Sequence, residues 1–175
     1  MAAAERPSVG TLRRAARIAA VQALYQMELG GQTSETVIAE FTAFRMGGRD
    51  RPETQVAVPE DVDLALFADL VRGVSAALER IDDLVEGALD KQRSVPRLEV
   101  VMRAILRAGA YELAERADID PALTISEYVA VGDVFFNERE PALVNAVLDR
   151  IAHRVAEADQ AGKGAKPDHE IAKDG

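Results

Sequence analysis

The segment from Arg97 to Arg116 places the tightest limit on what this chain can fold into. Leu98, Val101, Met102, Ile105, Gly109 and Leu113 line one helical stripe, and Val100, Leu106 and Ala110 widen it. A helix that is apolar over so much of its circumference needs neighbours on several sides. Arg103, Arg107 and Glu112 are its polar positions. The segment is therefore expected to be the most buried helix of the molecule, with the rest of the chain packed around it.

The rest of the chain supplies suitable neighbours. In Thr11 to Leu29, Ile18, Val21, Leu24, Tyr25 and Leu29 recur at helical steps, and Gly30-Gly31 ends the pattern. Ser34 is placed to cap a helix carrying Val37, Ile38, Phe41 and Phe44. A longer pattern runs from Leu64 to Ile81 with a break expected near Asp82, and Gly73 in its middle suits a close helix contact. Leu84, Val85 and Leu89 continue a shorter helix. Thr124-Ile125-Ser126-Glu127 reads as a capping box ahead of Tyr128, Val129, Gly132, Phe135 and Phe136. Pro141 suits a first helical position before the stripe Leu143, Val144, Val147, Leu148, Ile151 and Val155. No strand pattern and no internal repeat competes. The expected fold class is all-α.

Boundaries follow from where the periodicity stops. Residues 1–10, with Pro7 and Gly10, read as a flexible N-terminus until Thr11 caps the first helix. Residues 45–59 hold two glycines and two prolines and read as a flexible insertion loop. Residues 157–175 lack a period and read as a disordered tail, which leaves 11–156 as the helical domain.

Of the 175 residues, 48% are hydrophobic, enough for a packed interior, and only 5% are aromatic, which suits helices in close approach. The absence of cysteine excludes a disulfide framework, a zinc ribbon and a thiol nucleophile, and fits a cytoplasmic protein. No apolar run reaches membrane-spanning length, so no membrane partner is expected. The formal charge of −9 argues against indiscriminate nucleic-acid binding. Its distribution is uneven. Residues 1–20 carry Arg6, Arg13, Arg14 and Arg17 against Glu5, a balance of +3, so the remainder carries −12.

Arg13, Arg14 and Arg17 fall in the opening turns of the first helix, the end where the dipole disfavours cations. A phosphate bound there would account for them, since free backbone N–H groups and forked guanidinium donors both suit an anion. A solvated polar face accounts for them equally well, because arginine is a good helix former.

Candidates for catalysis are sparse. His153 and His169 have no second ligand at metal spacing, and no phosphate-binding glycine motif is present, so neither a metal nor another cofactor is expected. Asp82 and Asp83 are sequence neighbours and do not face each other on a helix. Asn145 and Glu112 lie beside apolar stripes and read as structural hydrogen-bonding groups.

Taken in order, RRAARIAAVQALYQ (13–26), FADLVRGV (67–74), VMRAILRAGAYEL (101–113), ISEYVAVGDVF (125–135) and LVNAVLDRIA (143–152) resemble the NusB family of bacterial transcription antitermination factors. The resemblance implies about seven helices in two small bundles that share a core, and no enzymatic activity. It implies binding to the boxA element of nascent ribosomal RNA transcripts together with NusE, a small-subunit ribosomal protein, and an indirect link to the RNA polymerase elongation complex. Arg13, Arg14 and Arg17 match the family's RNA-contacting start of the first helix. Tyr25, Leu29, Met102 and Phe135 stand at positions comparable to its partner surface. The chain departs from the family where Met102 replaces an acidic residue, where Leu143 and Ala146 replace Phe and Gly, and where Glu140 replaces Ser. An alternative from another class is a helical RNA- or protein-binding module that serves a separate RNA-modifying enzyme.

Overall fold

The computed structural model describes residues 6–45, 61–137 and 139–164. The expected flexible loop therefore lies almost wholly outside the described residues, as do the first five residues and the tail beyond Gly164. Seven α-helices and no strand occur among the described residues. They are α1 (Val9–Gly30), α2 (Ser34–Glu40), α3 (Leu64–Ala76), α4 (Leu78–Ala88), α5 (Val100–Glu115), α6 (Pro121–Phe135) and α7 (Glu140–Gly164). A π turn, Phe41–Arg45, continues α2, and a 3-10 turn, Val95–Arg97, leads into α5.

The two-bundle expectation holds, and α1 is the shared element. One of its faces, Ala16, Ala19, Ala20 and Ala23, packs against Val37, Ile38 and Phe41 and against Leu66, Phe67, Leu70 and Val71 of α3. Small side chains on α1 let those partners approach closely, and the rings of Phe41 and Phe67 stack at 5.6 Å. The other face, Ile18, Val21 and Leu24, enters the larger core formed by α4 to α7. Burying one such large aliphatic side chain stabilises by about 1.5–3 kcal/mol. Neither bundle can shed α1 without exposing its interior.

Helix α5 is central, as its apolar circumference requires. It packs against α1, α3, α4, α6 and α7, and ten of its residues are buried. Two glycines set its closest approaches. A Cβ on Gly73 would lie 2.0 Å from the Tyr111 ring, and one on Gly109 would lie 2.7 Å from Leu148. Both positions require the absence of a side chain.

Several boundaries differ from the sequence reading, each for a local reason. Ser8, not Thr11, caps α1, its Oγ accepting from the Thr11 backbone N–H at 3.2 Å, so the helix begins at Val9. Thr33 caps α2 in place of Ser34, and Asp63 caps α3 through the Leu66 N–H. The long pattern breaks at Ala77, where φ is −115°, not near Asp82. Helix α6 starts at Pro121 under an Asp120 cap, and the supposed capping box lies inside it. Glu127 is thereby freed for another use. Helix α7 runs on past Glu157 to Gly164 with its side chains exposed; Glu157, Ala158, Gln160, Ala161 and Lys163 favour the helix, against Asp159 and two glycines. Asn145 is exposed, so no buried amide needs satisfying there. At the end of α1 the expectation holds, with Gly31 in the left-handed region at φ 63° closing the helix onto Met27 O.

Candidate nucleic-acid interface

Because α1 starts at Val9, Arg13 and Arg14 occupy its second turn and Arg17 its third. The dipole acts mainly within the first turn, so it does not explain these three arginines. Their partners do.

Arg17 is 2% exposed, buried between α5 and α6. Its Nε donates to Glu112 Oε2 at 3.0 Å and its Nη2 to Glu112 Oε1 at 2.5 Å. The remaining nitrogen, Nη1, lies 3.4 Å from Glu127 Oε2. Tyr128, also buried, donates its hydroxyl to Glu112 Oε2 at 3.0 Å and sets its ring 5.9 Å from the Arg17 guanidinium carbon. Burial acts to lower the Arg17 pKa, but the hydrogen bonds and charge of Glu112 outweigh it and raise the pKa further above its ordinary value. Burial and the nearby Glu112 likewise push the Tyr128 hydroxyl well up. The expectation that Arg17 reaches a ligand beside Arg13 and Arg14 is thus corrected. A side chain with no open surface and every nitrogen committed anchors the helix instead.

Arg14 lies at the edge of this network, half exposed. Its Nε donates to Glu127 Oε2 at 3.1 Å and its Nη2 to Glu127 Oε1 at 2.7 Å. The hydrogen bond and charge of Glu127 raise its pKa. No hydrogen bond engages Arg14 Nη1 among the described residues. Arg13 keeps 40% of its side-chain surface open; among the described residues its ion pair is a loose one, Nε to Asp63 Oδ2 at 3.8 Å, and its charge also reaches Asp118. The Asp63 backbone N–H donates to Leu12 O at 3.2 Å, which ties the start of α3 to the arginine-bearing turns. The face thus presents two accessible guanidinium groups on a buried arginine, and chemically it can grip a phosphate or stack on a base.

The other candidate positions separate by exposure. Tyr25 (39% exposed) and Leu29 (62%) are open on α1, and Phe135 is half-buried. Met102 is 3% exposed and belongs to the larger core, so the expectation of a partner contact there is corrected. At about 100° per residue, Arg14, Tyr25 and Leu29 fall within a stripe of roughly 60° along α1. The sequence reading missed Glu127 and Asp63. Arginines set among apolar residues call for carboxylate partners, but nothing in the sequence says which acidic residues answer.

A second polar cluster ties α1, α4 and α5 together. Glu28 receives Arg103 and Arg107, with Arg107 Nη1 at 2.8 Å, and Arg107 also grips Asp82 at 2.7 and 2.8 Å. Among the described residues no group of three or more His, Cys, Asp or Glu is placed to hold a metal ion. No described helix is long and apolar enough to cross a membrane.

The family model described as NusB family matches residues 14–153. The chain belongs to the NusB family. A transcription antitermination protein NusB of Sinorhizobium fredii is 46% identical over 143 residues, which are 82% of this chain and 87% of that protein. Its counterpart in Mesorhizobium japonicum is 44% identical over 143 residues, covering 82% and 90%. Among solved structures, T. maritima NusB superposes with a TM-score of 0.66 at 30% identity, over 86% of this chain and 96% of that one. A chain in the crystal structure of a plectonemic RNA supercoil superposes at 0.63 over 87% and 97%, and at 24% identity it bears on the fold alone. A role in transcription antitermination follows from family membership.

Proposed function

We propose that this protein acts in antitermination as an RNA-binding factor and not as an enzyme, meeting RNA through Arg13 and Arg14 on α1. The observation that carries the reading is the sorting of the three arginines. Arg17 is locked inside by Glu112, while Arg13 and Arg14 keep 40% and 50% of their side-chain surface open on the same turns. The lock on α1 needs only Arg17 and Glu112, so the surface left open at Arg13 and Arg14 is available to a ligand. The RNA is the boxA element of nascent ribosomal transcripts, bound in the cytoplasm together with NusE, and the complex reaches RNA polymerase through its partners. Tyr25 and Leu29 continue the Arg14 stripe and, with half-buried Phe135 of α6, supply the apolar part of the partner surface.

Two half-open guanidinium groups, each already facing a carboxylate, on a chain of charge −9 are poorly suited to hold RNA alone. Screening over about 8 Å at physiological salt limits the repulsion without removing it, and a basic partner adds phosphate contacts. The test is a titration of labelled single-stranded boxA RNA with wild type, Arg13→Gln and Arg14→Gln, each with and without NusE. Weaker binding by both variants and tighter binding with NusE are expected. Full binding by an Arg13→Glu/Arg14→Glu double variant would overturn the site, and equal affinity with and without NusE would overturn cooperative assembly.

A further inference from the structure

The charge balance of the α1 face differs from that of its sequence. Arg13, Arg14 and Arg17 are met by Asp63, Glu127 and Glu112, three cations by three anions. As folded, the face displays no net charge from these six groups, so an anionic polymer gains little from approaching it unless one pair opens. The pairs are not equivalent. Arg17–Glu112 is sealed at 3% and 0% side-chain exposure. Arg13–Asp63 is already loose. Arg14–Glu127 joins a side chain 50% exposed to one 11% exposed, across the boundary of the protein.

We propose that Glu127 occupies on Arg14 the place of a phosphate, and that RNA binds α1 by exchange: a backbone phosphate displaces the Glu127 carboxylate from Arg14 while Arg17 retains it. This rests on the reading that Arg14 meets RNA. Glu127 holds the Nε–Nη2 edge of Arg14 in a two-point fork, the same geometry in which guanidinium grips phosphate. The carboxylate cannot follow Arg14 outward, because it is nearly buried on α6. Nor is it stranded when Arg14 leaves. Arg17 Nη1 stands 3.4 Å from Oε2, a long contact that can shorten, so the buried carboxylate keeps a cation. Arg17 holds the displaced group and Arg14 carries the ligand. Glu127 thereby sets how strongly RNA must compete, and it selects for polyanions that offer a phosphate at Arg14 over diffuse negative charge.

The test is a double-mutant cycle on the full chain with single-stranded boxA RNA, using Glu127→Gln, Arg14→Gln and the combination. Glu127→Gln removes the competing charge at nearly constant shape, and binding should tighten by about three- to tenfold. In the Arg14→Gln background that gain should vanish. Unchanged or weaker binding by a folded Glu127→Gln, or an equal gain in both backgrounds, overturns the exchange. A merely structural Glu127 would lower the melting temperature without tightening RNA binding. If Arg14→Gln binds as wild type does, the α1 reading falls with it. If Arg14→Gln loses RNA while Glu127→Gln gains nothing, only the exchange falls. The wild-type protein gives a second readout that needs no folded variant. On RNA titration, the carboxyl 13C signal of Glu127 and the Nε signal of Arg14 should move along one isotherm, and a Glu127 signal unmoved at saturation overturns the proposal.

Discussion

Arg17 Nη2 and Glu112 Oε1 are joined at 2.5 Å in a place closed to solvent from both sides. Taking two charges out of water is repaid only where geometry and further hydrogen bonds are good, and Tyr128 completes this pair. The cost of removing both partners should therefore fall well short of the two single costs combined. Arg17→Met or Glu112→Leu alone should cost about 3–5 kcal/mol, and the double variant clearly less than the two together. Urea unfolding of the three variants checks this, and simple additivity would count against a buried pair.

Arg13→Gln and Arg14→Gln should each weaken RNA binding and flatten its salt dependence by about 0.7 per lost phosphate contact on a single strand. If one arginine stacks on a base, its loss should relax sequence preference and change the salt slope less. Stability separates the two positions. Arg14→Glu sets a carboxylate against nearly buried Glu127 and should lower the melting temperature, whereas Arg13→Glu faces Asp63 at the open surface and should lower it less.

Gly109→Ala should destabilise by about 1–3 kcal/mol through overpacking, and Gly109→Leu by no less. The new Cβ would stand 2.7 and 2.9 Å from the Leu148 methyl groups and 3.3 Å from the Tyr128 ring. An unchanged melting temperature would contradict the central packing of α5.

Glu28 gives an acid dependence. Burial pushes its carboxyl up, but the Arg103 and Arg107 guanidinium groups outweigh this and hold it below the ordinary range. The unfolded chain then takes up the proton first. The stabilisation is therefore complete above roughly pH 4.3 and is lost as pH falls through the lower folded value. Glu28→Gln should cost about 1–2 kcal/mol at neutral pH. Its deficit against wild type should shrink in acid, as followed by denaturation at a series of pH values.

Deleting residues 161–175 should leave both melting and RNA binding intact. The last described turn of α7 is exposed and holds no core residue. A loss of RNA binding on truncation would assign a role to Lys163, Lys166 or Lys173.

Apolar periodicity by itself determined the all-helical class, the central place of α5 and the close approach at Gly73, because burial of a helical stripe is a local property read at steps of three and four. Gly30-Gly31 ended α1 for a similarly local reason. What only the tertiary structure decided is which charges stay outside. Arg14 and Arg17 are three residues apart on one helix and look alike in sequence, yet one is half exposed and the other sealed. Their fates depend on Glu112, 95 positions from Arg17, and on Glu127, 113 positions from Arg14. Glu127 itself read as a capping residue until Asp120 and Pro121 started α6 earlier and turned it inward. Ion pairs over such separations exist only after the helices pack, and packing, not propensity, sets which guanidinium groups remain open to a ligand.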